Sequence, residues 1–230
     1  MSLFGIDYYY IVLVLPALIL SLIAQAFVNS TFSKYSQINC SRPITGKEAA
    51  ALLMKKNNIG NVAVVQVSGS LTDNYDPGKK TLNLSEPVYG QPSIAAIGVA
   101  AHETGHAIQH ATGYGPLALR SGLVPIANIG SSIGPWIAIA GIFFTMPFLT
   151  QLGIILFGAA VLFYIITLPV EFNASNRAIQ LLRKENILNE EELYGVRKVL
   201  TAAAMTYVAS ALTAIMSLLR LVLISRSRRD

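Results

Sequence analysis

Cysteine is almost absent and charge is scarce. A single thiol, Cys40, occurs in 230 residues, so no intramolecular disulfide can form and a four-thiolate zinc site is excluded. Asp, Glu, Lys and Arg make up 13% of the chain, about half the roughly 25% of an ordinary globular domain. Hydrophobic residues make up 53%, which excludes an intrinsically disordered chain. The missing charge is accounted for if lipid replaces water as solvent around much of the protein. A net charge of +5 does not indicate nucleic acid, because the basic residues are split among segments separated by long uncharged stretches.

Those stretches define the organisation. No charged side chain lies between Tyr8 and Ser33, and Ile11 to Val28 is apolar enough to cross about 30 Å of hydrocarbon as a helix. Ala24, Gln25 and Ala26 form an A-x-A pattern, but the leader contains Asp7 and no Lys or Arg, so a retained span is expected rather than a cleaved signal. Ser121 to Val170 is again uncharged, which predicts two spans, about 124–147 and 150–169, with a turn near Pro147. Gly130, Gly134, Gly141, Gly153 and Gly158 lie at spacings that let helix backbones approach closely in lipid. Val199 to Leu219 reads as a fourth span.

Lys and Arg number eight in Lys34 to Arg120, five in Arg177 to Lys198 and four from Arg220 onward. The positive-inside rule therefore makes 34–120 and 171–198 cytoplasmic, with the N-terminus outside. Four full spans would put the arginine-rich tail outside, against that rule; a last helix that stops short and a tail that is an exception both stay open. Five segments result: 1–33, an N-terminal span; 34–120, a cytoplasmic segment; 121–170, a two-span hairpin; 171–198, a second cytoplasmic segment; and 199–230, a membrane helix with a basic tail. Arg220, Arg226, Arg228 and Arg229 read as a topological anchor or a contact for anionic lipid headgroups.

In 34–120, Lys47 to Lys56 has helical apolar spacing and Asn61 to Val67 reads as a strand. Asp73, Asn74, Asp76, Pro77 and Gly78 supply turn residues, and Thr81 to Leu84 is the expected partner strand of a small hairpin. One of these two strands is a candidate edge for an extended substrate. A helix is expected after Pro92, capped by Ser93 and ended by Gly113 and Gly115 near Thr112.

That helix carries HETGH, His102 to His106, an instance of H-E-x-x-H. Positions i and i+4 differ by about 40° around a helix and one turn along it, so two imidazoles can converge on one cation while Glu103 projects beside it. Zinc lowers the pKa of its bound water from about 15.7 toward 7, and a neighbouring carboxylate can accept the proton. A catalytic zinc needs a third protein ligand and an open position. His110, a further turn along, is poorly placed, because a straight helix puts it about 12 Å along the axis from His102. Glu171, the first charge after the long uncharged run, would be returned to the side of the histidines by a two-helix hairpin. The alternative is that it begins the next aqueous segment as a helix N-terminal acid. Tyr114, Tyr194 and Arg177 are each able to stabilise an oxyanion.

GVAAHETGHAIQH, followed by paired apolar spans and LPVEFNASNRA, resembles the YugP-type neutral zinc metallopeptidases of bacterial membranes, and the similarity covers nearly the whole chain. More distantly the chain resembles the HtpX and CaaX-type membrane endopeptidases. The resemblance implies one zinc per chain held by His102, His106 and Glu171, with Glu103 as general base. Ser175 stands where the distant families have Asp, so support for a ligand is expected from Asn173 or Asn176 instead.

The expected fold is mainly α: a polytopic α-helical membrane protein with a zincin-like metal helix and a small β-hairpin on the cytoplasmic side. The expected function is a zinc endopeptidase of the bacterial plasma membrane, its site facing the cytoplasm. It would cut peptides or membrane-proximal proteins by metal-activated water, with the lipid bilayer as its other partner and no nucleic acid. Two alternatives stay open: a membrane scaffold with a structural zinc, and an intramembrane protease with HETGH inside the bilayer.

Overall fold

The computed structural model describes residues 7–227, so Arg228 and Arg229 lie outside the described residues. The chain forms two compact units, the first from residues up to Gln25, Ala118–Pro169 and Met205 onward, the second from Ala26–Leu117 and Val170–Ala204.

The first unit is built from parts of four long apolar helices. A π-helical turn, Tyr10–Val14, leads into α1, Leu15–Ser36; the others are α5, Gly115–Phe143, α6, Pro147–Lys184, and α7, Glu190–Ser227. All four are long and apolar enough to cross a membrane. The turn between α5 and α6 falls at 144–146, with Pro147 at the first position of α6, where its missing N–H costs no intrahelical bond. Pro169, by contrast, lies inside α6. The helix does not stop at the end of the uncharged run but continues to Lys184, because one forfeited hydrogen bond does not outweigh the packing on either side.

Small residues bring α5 and α6 together. A Cβ on Gly134 would sit 2.9 Å from the Phe157 nitrogen, and Gly130, Gly141 and Gly153 likewise face backbone of the opposite helix. Gly158 does not share this role, since a Cβ there meets open space. In the same unit α1 and α7 run antiparallel. Ser21 Oγ lies 3.0 Å from Thr213 Oγ1, which donates to the Ala17 carbonyl at 3.2 Å. At one end Arg220 Nη2 lies 2.6 Å from Asp7 Oδ2, and the guanidinium sits 5.2 Å from the Tyr10 ring centroid. Arg220 is thus tied to the start of the first span.

The second unit holds α2, Gly46–Lys56, strands β1, Ala63–Val67, β2, Asn74–Asp76, and β3, Thr81–Ser85, the short α3, Glu86–Tyr89, and α4, Ile94–Ala111, together with the end of α1 from Ala26 and the parts of α6 and α7 within Val170–Ala204. A reciprocal capping box starts α2, Thr45 N–H donating to Glu48 Oε2 at 2.8 Å and Glu48 N–H to Thr45 Oγ1 at 3.3 Å.

The sheet order is β1-β3-β2, with β1 parallel to β3 and β2 antiparallel to it. Asn61–Val67 and Thr81–Leu84 therefore do not pair as a hairpin. Asn74 to Asp76, expected as part of a turn, is itself a strand, and the hairpin is β2–β3. Its turn is made by Asp76, whose Oδ1 accepts from the Gly78 and Lys79 N–H groups at 2.9 and 3.0 Å. Asp73 fixes the far end of β3, accepting from Ser85 N–H at 2.7 Å and Ser85 Oγ at 2.8 Å. Because β3 is paired on both sides, Thr81–Leu84 offers no edge, whereas β1 has a single partner among the described residues.

Ser93 caps α4, accepting from Ala96 N–H at 3.2 Å, and Gly113 leaves it at φ +64°. Gly115 does not end this helix; it opens α5. Alanines on opposite faces of α4 pack on Leu82 and Leu84 of β3 and on Ala178 and Leu182 of α6. Most of α4 is buried between these layers, and only its end at His110 and Ala111 is exposed.

The antiparallel contact in the first unit is directly testable. With Cys40→Ala removing the native thiol, Ser21→Cys combined with Thr213→Cys is expected to form an intramolecular cross-link on mild oxidation, visible on non-reducing gels and absent from either single variant. An uncross-linked double variant would rule out this packing of α1 on α7.

Candidate metal centre

Four residues on one face of α4 and one turn of α6 make the centre, all within the second unit. His102 and His106, one turn apart, stand edge to face with ring centroids 4.8 Å apart. Glu171 enters from α6, and one of its oxygens, Oε2, lies 3.2 Å from His102 Nε2 and 3.5 Å from His106 Nε2. The three donor atoms fall within 4.8 Å of one another. His106 and Glu171 are buried, and His102 is half-buried.

The donor set suits zinc. Zinc bonds of about 2.0–2.2 Å at tetrahedral angles place neighbouring donor atoms about 3.4 Å apart, and the two nitrogen–oxygen separations bracket that value. Two imidazoles and a carboxylate also leave one position of a tetrahedron without a protein donor. His110 is not in this cluster. Its Nδ1 lies 2.7 Å from the Tyr75 hydroxyl on β2, at the exposed end of the face.

Glu103 is buried beside the two rings. Burial pushes its carboxyl above the usual carboxylate range; His102 and His106 pull the other way without cancelling the rise, and Glu171 and Asp73 add to it. At His106 burial opposes the charged ring, but the carboxylates of Glu171 and Glu103 outweigh it and hold the imidazole above its ordinary value.

A further layer of contacts was only partly foreseen. Ser175 Oγ lies 3.1 Å from His102 Nδ1, so the residue standing in place of Asp makes the contact itself. Asn173 reaches His106 through Gln109, whose side-chain nitrogen donates to Asn173 Oδ1 at 3.0 Å and whose oxygen lies 2.9 Å from His106 Nδ1. Sequence reasoning missed Gln109, although it lies three residues after His106 on the same helical face. Of the three oxyanion candidates, Arg177 and Tyr114 stack at 6.0 Å, and Arg177 Nε donates to Asn173 Oδ1 at 2.8 Å. Tyr194 is exposed and packs under Lys198 of its own helix at 5.0 Å.

With this geometry in hand, the likeness to known proteins is specific. The family described as "Putative neutral zinc metallopeptidase" matches residues 10–226. The chain belongs to that family. It is 48% identical over 221 residues to the "Putative membrane protease YugP" of Bacillus subtilis (strain 168), an alignment covering 96% of this chain and 98% of that protein. No solved structure matches.

One feature of the metallopeptidase motif is explained by packing alone. Gly105, a variable position of H-E-x-x-H, lies against α6, where a Cβ would sit 2.7 Å from the Ala174 carbonyl oxygen. Ala174 is three residues from Glu171, so any side chain at 105 pushes away the turn that supplies the third donor. Gly105→Ala is expected to lower stability by about 1–3 kcal/mol and to reduce zinc content, while Gly158→Ala, which meets nothing, is neutral or better in stability. Thermal unfolding and metal analysis of the two variants in detergent check this.

Proposed function

We propose that the protein is a membrane-integral zinc endopeptidase that hydrolyses peptide bonds of membrane or membrane-proximal proteins. The observation that carries this reading is the meeting of His102, His106 and Glu171 from two helices, with Glu103 buried beside them. His102 and His106 would hold one zinc per chain through Nε2 and Glu171 through its carboxylate. When bound there, zinc supplies Lewis-acid polarisation of a carbonyl and acidification of water.

The remaining chemistry belongs to the chain. Glu103 serves as general base, and the burial that raises its proton affinity makes it a better acceptor near neutral pH. His102 and His106 share a wall of alanines and glycine that keeps α4 against α6. Ser175 and Gln109 hold the two rings from behind. Peptide substrate and lipid bilayer are the partners; nucleic acid is not.

The positive-inside distribution supports placing 34–120 and 171–198 in the cytoplasm, with spans in 1–33, 121–170 and 199–230. The setting is a bacterial plasma membrane, with the site on the cytoplasmic face. The Asp7–Arg220 ion pair supports four complete crossings, since it joins the beginning of the first span to the end of the last. On this reading the basic tail is an exception to the charge rule, with Arg220 neutralised by Asp7.

Purified protein should contain about one zinc per chain by plasma emission analysis. Glu103→Gln is expected to keep that zinc while losing peptidase activity by about 10²-fold or more. Full activity in this variant, or a metal-free wild-type protein that cleaves peptide, would end the proposal.

A further inference from the structure

Gln109 is fully buried, and both ends of its side-chain amide have partners. Its nitrogen donates to the Val170 carbonyl at 2.9 Å as well as to Asn173 Oδ1 at 3.0 Å. A backbone carbonyl can only accept, so the NH₂ end of this amide must face Val170. Asn173 reinforces the orientation, because its Oδ1 also accepts from Arg177 Nε at 2.8 Å and is therefore itself the oxygen. The other end of Gln109, facing His106 Nδ1 at 2.9 Å, is then the carbonyl oxygen, which accepts and cannot donate. For that contact to be a hydrogen bond, Nδ1 must carry a proton.

From this chain of orientations we infer that Gln109 is a positioning residue: it keeps a proton on His106 Nδ1 and leaves Nε2, the nitrogen turned to Glu171, as the atom offered to a cation. His102 is not held in the same way. Its Nδ1 faces the Ser175 hydroxyl at 3.1 Å, which can donate or accept and so dictates neither tautomer. The two histidines of one motif thus differ in how firmly their protons are placed. The same amide that orients His106 grips the turn of α6 that begins with Val170 and Glu171, so ring orientation and third-donor position are set by one side chain. The inference rests on the reading of His106 as a metal ligand.

The test uses the full-length protein in detergent micelles, labelled with ¹⁵N at its three histidines, with His110→Gln and His102→Gln serving to assign the ring signals. In wild type, His106 Nδ1 is expected to be protonated and slow to exchange with solvent, both before and after zinc is added. Gln109→Met, similar in shape but with no acceptor, should lose that slow exchange and bind zinc roughly 10–100-fold more weakly in competition with a chromophoric chelator. Gln109→Glu keeps an acceptor and should bind zinc closer to wild type than Gln109→Met does. An unprotonated His106 Nδ1 in wild type, or Gln109→Met binding zinc as tightly as wild type, overturns the inference. If neither Gln109 variant folds, the wild-type proton alone decides. A wild-type protein that takes up no zinc yet protects this proton would sink the metallopeptidase reading and leave the tautomer assignment standing; zinc uptake through His106 Nδ1 would do the reverse.

Discussion

At Gly105 the backbone of α4 runs against that of α6 with no room for a methyl group, and the polar centre depends on that contact. Two imidazoles on one helix can only present nitrogens; the oxygen donor has to come from another element, at a distance set by how near the two backbones lie. Alanine and glycine line both surfaces, Ala101 and Gly105 on α4, Ala174 and Ala178 on α6. Larger residues would have stabilised the interface through apolar burial but moved Glu171 away from the rings. The helices therefore trade buried apolar area for proximity, and the deeper packing of Ile97, Leu182 and Val196 makes up for it on the side away from the donors.

Much of this was legible in the sequence, for reasons that differ between elements. Long uncharged runs fix four membrane helices because lipid tolerates few alternatives. The histidine pair was legible because its geometry is intrahelical. Glu171 was suggested by its position after an apolar run but placed by resemblance, since nothing local distinguishes a third donor from a helix-start acid. The strands were found and their pairing was not. A β-branched run and a second short run separated by turn residues fit a hairpin, and only the three-residue Asn74–Asp76 strand, too short to show a period, makes the arrangement parallel across the first and third strands. Gln109 carried no signal in the sequence reading, and Ser175 was marked only as a replacement for Asp. Their roles come from which atoms they face across α4 and α6, and a helical-face argument from His106 would have found only the first.

The first unit reaches stability by other means. In lipid, apolar side chains gain little by leaving their surroundings, so association relies on close backbone contact and on polar atoms that find each other. Gly134 and its neighbours provide the first in the α5–α6 pair, and Ser21 with Thr213 the second in the α1–α7 pair. The Asp7–Arg220 pair adds a bond at one end where both groups are only partly exposed. Its partial burial makes it more than a surface ion pair, because removing either partner leaves the other charge without compensation in a place that solvates it poorly.

Electrostatic balance gives a further reason for the composition of the centre. Glu103 and Glu171 are both buried and both acidic, and the imidazoles of His102 and His106 stand beside them. Two carboxylates enclosed together are costly unless two positive charges accompany them. Protonated imidazoles can provide that balance, and so can one divalent cation, in which case the imidazoles give up protons to act as ligands. A lysine or arginine in place of either histidine would keep its charge and offer a cation no lone pair. Histidine is able to surrender its charge near neutral pH, so the pair facing these two buried acids suits the proposed dication site better than a fixed cation would.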